Sequence, residues 1–257
     1  MAEYATILYD TASLPVLRVV LNRPDKRNAL GPQVFGELVN ALGRAVDDDA
    51  VRSIVLTGAG KVFSAGGDLG GMATLASGVQ PATMVELFTT MHSSGKPIIA
   101  MVNGHALAGG LGLMVACDVV IASDTAELGL TEINLGLWPM MITAEIVRSV
   151  GRKKALELML TGDRITAAEG ERMGLVTRVV PSERLESETM AFALQIAGKS
   201  PAVLRLGLKA FYDTQDLELK PALEHLQGQL GKVLATEDAA EGIAAFFAKR
   251  EPVWKGR

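Results

Sequence analysis

The sequence predicts an α/β protein whose C-terminal part is helical. Three observations carry that expectation. Short β-branched runs recur through the first half, amphipathic helical stretches alternate with them, and after Thr143 the pattern becomes helix upon helix. Val16 to Leu21 is the first β-branched run. It ends at Asn22-Arg23-Pro24, where Pro24 biases Arg23 away from helix. From Pro32 to Val46, the apolar residues Val34, Phe35, Leu38, Val39, Leu42 and Val46 recur at three- and four-residue spacing, which marks an amphipathic helix with proline in its first turn. Asp47-Asp48-Asp49 reads as a solvated loop. Ser53 to Thr57 is a buried strand stopped by Gly58-Ala59-Gly60, Ile98 to Val102 is a second, entered by Pro97, and Val119 to Ala122 is a third. Strands alternating with helices build βαβ-type units and a largely parallel sheet.

Beyond Thr143, helices are expected near 143–150, 152–160, 166–173, 183–198, 201–213 and 216–247, the last of them broken, with one short strand at Val176 to Val180. A boundary falls near Lys199-Ser200-Pro201. It divides an α/β core, 1–199, from a helical C-terminal region, 200–257.

Composition narrows the function classes. The chain has 257 residues, 49% hydrophobic and 21% charged, enough apolar residue for a sizeable core. Its 25 Lys+Arg against 29 Asp+Glu give a net charge of −4, and no Lys/Arg cluster stands out, so no nucleic-acid partner is expected. Cys117 is the sole cysteine, which excludes an intramolecular disulfide framework and a Cys-rich zinc site. His92, His105 and His225 lie far apart with no H-E-x-x-H pattern, and no metal site is expected. Met1 to Asp10 carries Glu3 and no basic segment followed by an apolar one, so it does not read as a secretory signal. The longest apolar-plus-glycine run, Ala106 to Cys117, spans 12 residues. A membrane span needs about 20. The expectation is a cytoplasmic protein with no membrane partner.

Three segments could carry chemistry. Phe63-Ser64-Ala65-Gly66-Gly67-Asp68-Leu69 follows a strand, and its paired glycines let the backbone bend sharply and approach a ligand. Exposed N–H groups in such a turn can bind an anion or a developing oxyanion. The same residues read equally as a plain glycine-rich turn. Asn103 to Gly112 follows the Ile98–Val102 strand and opens an apolar helix, whose free N–H groups make a second oxyanion or phosphate site or else simply pack against the strand. Its glycine spacing fits neither G-x-G-x-x-G nor a Walker loop. Glu132, in Leu130-Thr131-Glu132-Ile133-Asn134-Leu135-Gly136, is flanked by apolar residues that could desolvate it and raise its pKa toward a general-base range; an ion-paired or solvated glutamate is the alternative. Ser64 lacks a G-x-S-x-G elbow, and His105 and Cys117 read as structural.

Taken in order, these segments resemble the crotonase superfamily, the enoyl-CoA hydratase/isomerase family. The resemblance covers essentially the whole chain. It begins at Asn22-Arg23-Pro24-Asp25-Lys26-Arg27-Asn28-Ala29-Leu30 and includes Phe63–Leu69, Asn103–Gly112 and Thr131–Gly136. It continues through Leu160-Thr161-Gly162-Asp163-Arg164-Ile165 and Gly174-Leu175-Val176 to Phe247-Ala248-Lys249-Arg250-Glu251-Pro252-Val253-Trp254. It implies a crotonase-like spiral of ββα units with a helical C-terminal trimerisation region over 200–257, in a homotrimer or a dimer of trimers. It also implies an acyl-CoA thioester substrate and no separate cofactor, since coenzyme A arrives as part of the substrate. The family's oxyanion-hole N–H groups fall on Gly67 and Gly109. Arg27, Ala29, Ala65, Asp68 and Leu69 are expected along the adenine and pantetheine path, and Lys61 and Lys249 near the CoA phosphates. Gly110, Trp138 and Met140 complete the expected CoA and acyl contacts.

Two positions depart from the family pattern. Hydratases of the family carry two catalytic glutamates. The second matches Glu132, but the first falls on Gly112, which has no side chain. Hydration needs water held and activated between groups, whereas moving a double bond needs one base. The expectation is therefore an isomerase working through Glu132, with a 2-enoyl-CoA hydratase and a non-catalytic acyl-CoA-binding protein as alternatives. Trp138-Pro139-Met140-Met141 stands where many relatives have a glycine-rich stretch, so it either reshapes the acyl pocket or is a repacked loop.

Overall fold

The computed structural model describes residues 4–68 and 78–257. The chain runs β1 (Ile7–Asp10), β2 (Val16–Leu21), α1 (Pro32–Asp47), β3 (Ser53–Gly58), β4 (Val62–Ser64), α2 (Met84–Ser93), β5 (Ile98–Val102), β6 (His105–Leu107) and α3 (Gly109–Val115). It continues through β7 (Val119–Ser123), β8 (Glu127–Gly129), α4 (Thr143–Thr161), β9 (Arg164–Thr166), α5 (Ala167–Met173) and β10 (Arg178–Val180). The described chain ends in α6 (Leu185–Ala197), α7 (Pro201–Thr214), α8 (Leu219–Leu234) and α9 (Glu237–Ala248). From Pro201 onward every regular element among the described residues is helical.

Two sheets form. The larger has the order β1-β2-β3-β5-β7-β10 and is parallel except for β1, which pairs antiparallel with β2. The smaller has the order β4-β6-β8-β9, its first three strands parallel and β9 antiparallel to β8. β3 and β5 are buried along their whole length, as expected of near-continuous apolar strands covered on both faces. Each of β3, β5 and β7 is followed at once by a short strand that crosses into the smaller sheet, and then by a helix. Three successive strand–strand–helix units result, matching the spiral that the resemblance implied.

Some details differ from the sequence reading. In α1, Val34, Leu38, Ala41, Leu42 and Ala45 face the core, whereas Val46 is exposed. Glu37 is also buried on that helix. It accepts the Thr6 N–H at 2.8 Å and the Thr6 hydroxyl at 2.6 Å, which fastens β1 to α1. Over residues 143–161 two helical stretches run end to end as α4, and Gly151, at φ 74°, ψ 165°, breaks the path between them where two helices were expected. The break expected inside 216–247 separates α8 from α9.

The helical C-terminal region is keyed into the core by a buried acid. Asp118, just past α3, accepts the Ile98 N–H at 2.7 Å and the Tyr212 hydroxyl at 2.5 Å from α7, while the His92 ring stacks on Tyr212 with centroids 4.3 Å apart. Burial pushes the Asp118 carboxyl above its ordinary range, and the Tyr212 and Ile98 hydrogen bonds hold it down. Tyr212→Phe removes one of those donors, and leaving a buried carboxylate oxygen unpaired costs about 1–3 kcal/mol. The folded pKa then rises further, so stability is lost as pH rises through it. Urea unfolding should therefore show a larger deficit for this variant at neutral pH than in mild acid. A deficit that does not change with pH would argue against it.

Candidate active site

The three parallel strands of the smaller sheet each end in a turn, and the three turns meet. After β4 come Ala65, Gly66 and Gly67. Gly66 adopts φ 96°, and a Cβ there would lie 2.7 Å from the Cβ of Ala108, so only glycine fits. The Leu30 N–H donates to the Gly66 carbonyl at 2.8 Å, and the Asp68 N–H donates to the Leu30 carbonyl at 2.7 Å. This bridge holds the segment like a strand edge, and a Cβ on Gly67 would meet nothing within 4 Å. After β6, Ala108 turns through φ 50°, ψ −128°, a costly conformation for a residue with a Cβ, and α3 opens at Gly109. Among the described residues, neither the Gly67 nor the Gly109 N–H finds an acceptor. A Cβ on Gly109 would stand 3.8 Å from the Gly67 nitrogen, so the two donors border one space.

The turn after β8 delivers Glu132. It lies in a 3-10 turn over Thr131–Leu135, and its Oε2 is buried without a hydrogen-bond partner. Burial raises the carboxyl pKa, opposed by a hydrogen bond from its own backbone N–H. Gly67, Gly109 and Glu132 line a single cavity of about 270 Å³, walled by Ala65, Trp138, Met140 and Ile142. Two free N–H donors facing a desolvated carboxylate can stabilise negative charge on an oxygen while moving a proton nearby.

Gly112 lies in the same helix as Gly109, and the space beside it is filled. A Cβ on Gly112 would lie 2.6 Å from the Cβ of Ile142 and closer still to its Cγ2. No side chain fits there while Ile142 keeps its place. The sequence reading missed Ile142, and also Met84, whose Cε approaches the Gly109 position at 3.4 Å. No local pattern marks either residue.

Other expected contacts lie apart from the cavity. Gly110 is buried, and a Cβ on it would meet the Ser64 Cβ at 2.7 Å, so it serves close packing of α3 on β4. Asp68 pairs with the Arg23 guanidinium at 2.7 Å. Arg27 is exposed at φ 50°, and its carbonyl accepts the Ala65 N–H at 3.0 Å. The Ala29 carbonyl accepts from Arg23 Nη1 at 2.8 Å and so holds the guanidinium that pairs with Asp68. Lys61 and Lys249 are exposed and do not line the cavity, and Leu69 lies outside the described residues. Asn28 and Asn103 act as clamps. Asn28 Nδ2 donates to the carbonyls of Ala59 and Val62, and Asn103 Nδ2 to those of Gly58 and Gly60, which fixes the turn between β3 and β4.

The family model described as enoyl-CoA hydratase/isomerase matches residues 11–257. The 2,3-dehydroadipyl-CoA hydratase of Escherichia coli (strain K12) is 40% identical over 249 residues, covering 94% of this chain and 96% of that protein. Among solved structures, an enoyl-CoA hydratase of Mycobacterium smegmatis aligns with a TM-score of 0.89 at 30% identity, covering 97% of this chain and 99% of that one. The enoyl-CoA hydratase of Bacillus anthracis aligns with a TM-score of 0.86 at 34% identity, covering 98% of this chain and all, 100%, of that one.

Proposed function

The chain belongs to the enoyl-CoA hydratase/isomerase family, and from that premise we propose that it moves a carbon–carbon double bond in an acyl-CoA thioester, with Glu132 as its single acid/base. The observation that carries this reading is one unpartnered, burial-raised carboxylate sharing a cavity with two free N–H groups, while position 112, where the resemblance places a second carboxylate, is a glycine with no room for a side chain.

In a 3-enoyl thioester the C2 proton is weakly acidic, because the charge left behind spreads onto the carbonyl oxygen. Glu132 takes that proton. The Gly67 and Gly109 N–H groups hold the dienolate oxygen, each such donor contributing about 3–4 kcal/mol. The proton returns from Glu132 to C4, and the double bond settles between C2 and C3. No atom is gained or lost, so proton transfer alone closes the reaction and no cofactor beyond the substrate's own coenzyme A is required.

The remaining assignments follow the same premise. Ala65, beside Gly67, flanks the pantetheine arm. The exposed Arg27, Lys61 and Lys249 are the cations proposed for the coenzyme A phosphates, while Ala29 and the Arg23-paired Asp68 shape the loop beside them. Trp138 and Met140 form the acyl wall. Residues 200–257 are proposed as the trimerisation region of a homotrimer or a dimer of trimers. In support, α8 exposes Leu219, Leu223, Leu226, Leu230 and Leu234 and buries none of its residues. No described helix is long and apolar enough to cross a membrane.

Hydration of a 2-enoyl-CoA is the second reading, favoured by the names of the relatives. Matched 3-enoyl- and 2-enoyl-CoA esters, incubated separately with the protein and weighed by mass spectrometry, separate the two. Conversion of the 3-enoyl ester without mass gain is expected. Addition of water to the 2-enoyl ester as the dominant reaction would replace the isomerase reading with the hydratase one.

A further inference from the structure

We propose that Ile142 is the residue that decides what the site does with its substrate: it occupies the ground where a second acid/base would start and denies a water molecule a place beside Glu132. The inference rests on the reading of Glu132 as the base.

Ile142 is only 2% exposed and belongs both to the main apolar core and to the cavity wall. Its backbone cannot easily give way. The Ile146 N–H donates to the Ile142 carbonyl at 3.0 Å, and the Thr143 hydroxyl donates to the Pro139 carbonyl at 2.6 Å. The Met140 N–H closes the preceding turn on the Trp138 carbonyl at 2.8 Å. This locked turn drives a β-branched side chain against Gly112, and β-branched residues have little rotamer freedom with which to retreat.

Two consequences follow. Glycine at 112 is required by the neighbour and not merely tolerated. The wall on that side is also apolar, with Trp138, Pro139 and Met140 leading into Ile142. A site-bound water needs two to four polar partners. Among the described side chains lining the cavity only Glu132 and Thr131 are polar, neither lies on the Ile142 side of the wall, and the Gly67 and Gly109 N–H groups are engaged by the substrate oxygen. A proton taken by Glu132 therefore returns to carbon, because no held water competes for it.

The test compares wild type with Ile142→Ala and Ile142→Val on matched 2-enoyl- and 3-enoyl-CoA, reading hydrated against isomerised product by mass. Thermal unfolding checks each fold. The ratio of hydration to isomerisation should rise about ten- to hundred-fold in Ile142→Ala, with Ile142→Val between the two, in line with the effect of one or two methylenes on discrimination in an apolar pocket. A folded Ile142→Ala with the wild-type ratio overturns the proposal. If Ile142→Ala does not fold, Ile142→Leu, which removes the Cγ2 that crowds Gly112 while keeping the core volume, takes its place, and an unchanged ratio there overturns the proposal. Failure of the isomerase reading looks different: wild type then leaves the 3-enoyl ester untouched. In that case new hydration by Ile142→Ala would still support the role of Ile142, and strong hydration by wild type would overturn both.

Discussion

Glu132→Gln is expected to lower kcat for the 3-enoyl ester by about 10²–10⁴-fold, the range set by loss of a positioned acid/base, with KM changed little. Glutamine keeps the shape and lacks the basic carboxylate, so the oxyanion donors still bind the thioester while no group takes the C2 proton. A second readout separates this from simple damage to the site. Burial raises the Glu132 carboxyl above its ordinary range, so the folded state holds that proton more tightly than the unfolded chain does. The stability linked to it is present in acid and is lost as pH climbs from the ordinary glutamate range through the raised folded value. Glu132→Gln escapes that loss. It should melt above wild type at neutral pH and alongside it in acid, a stability–activity trade read from one side chain. Wild-type kcat/KM should fall on the acid side with an inflection above the ordinary glutamate range, because only the ionised carboxylate accepts the proton. A variant that keeps full activity would end the assignment of Glu132 as base.

Adding a second carboxylate at position 112 should fail in the chain as it stands. Gly112→Glu places a Cβ 2.6 Å from that of Ile142 inside a packed core, and overpacking of this kind costs about 1–3 kcal/mol. Part of the new carboxylate would also enter apolar surroundings, at a further cost. The single variant is expected to melt earlier than wild type and to gain no hydratase activity. Combining Gly112→Glu with Ile142→Gly removes the obstruction, so the double variant, although it loses the buried isoleucine, should be more stable than the sum of the two single losses predicts and should add water to a 2-enoyl-CoA. Thermal melts of both singles and the double, closed as a double-mutant cycle, check the coupling. Simple additivity of the two substitutions would show that Ile142 does not hold position 112 to glycine.

What could be read from the chain depended on how local its cause was. β3 and β5 announce themselves because parallel strands covered on both faces are apolar along their length, and Gly151 interrupts an otherwise helical stretch at the residue that adopts a left-handed φ. β4, β6 and β8 have three residues each, too few to show a period, and no local pattern marks them as strands. They are strands because partners distant in sequence pair with them. Glu132, Gly67 and Gly109 were legible through family resemblance, and the cavity brings them together. Ile142 was not, because its importance lies in a contact with a glycine on another helix. Gly110 carried the same kind of signal as Gly109, yet its neighbour is Ser64 and its place is in the packing beneath the cavity.

The arrangement of the three turns has a consequence for how such a scaffold can change its trade. One step of the spiral ends in Gly67, the next in Gly109, and the third in Glu132, so in the proposed mechanism two backbone addresses grip the oxygen and a separate side-chain address handles the proton. The grip is made by main-chain atoms, which substitution elsewhere leaves in place. The tool that works on the gripped substrate sits on a different loop and can be exchanged, blunted or given a companion without retooling the grip. On that reading, glycine at 112 with Ile142 filling the space beside it is one such variation, confined to the workbench and leaving the vice untouched.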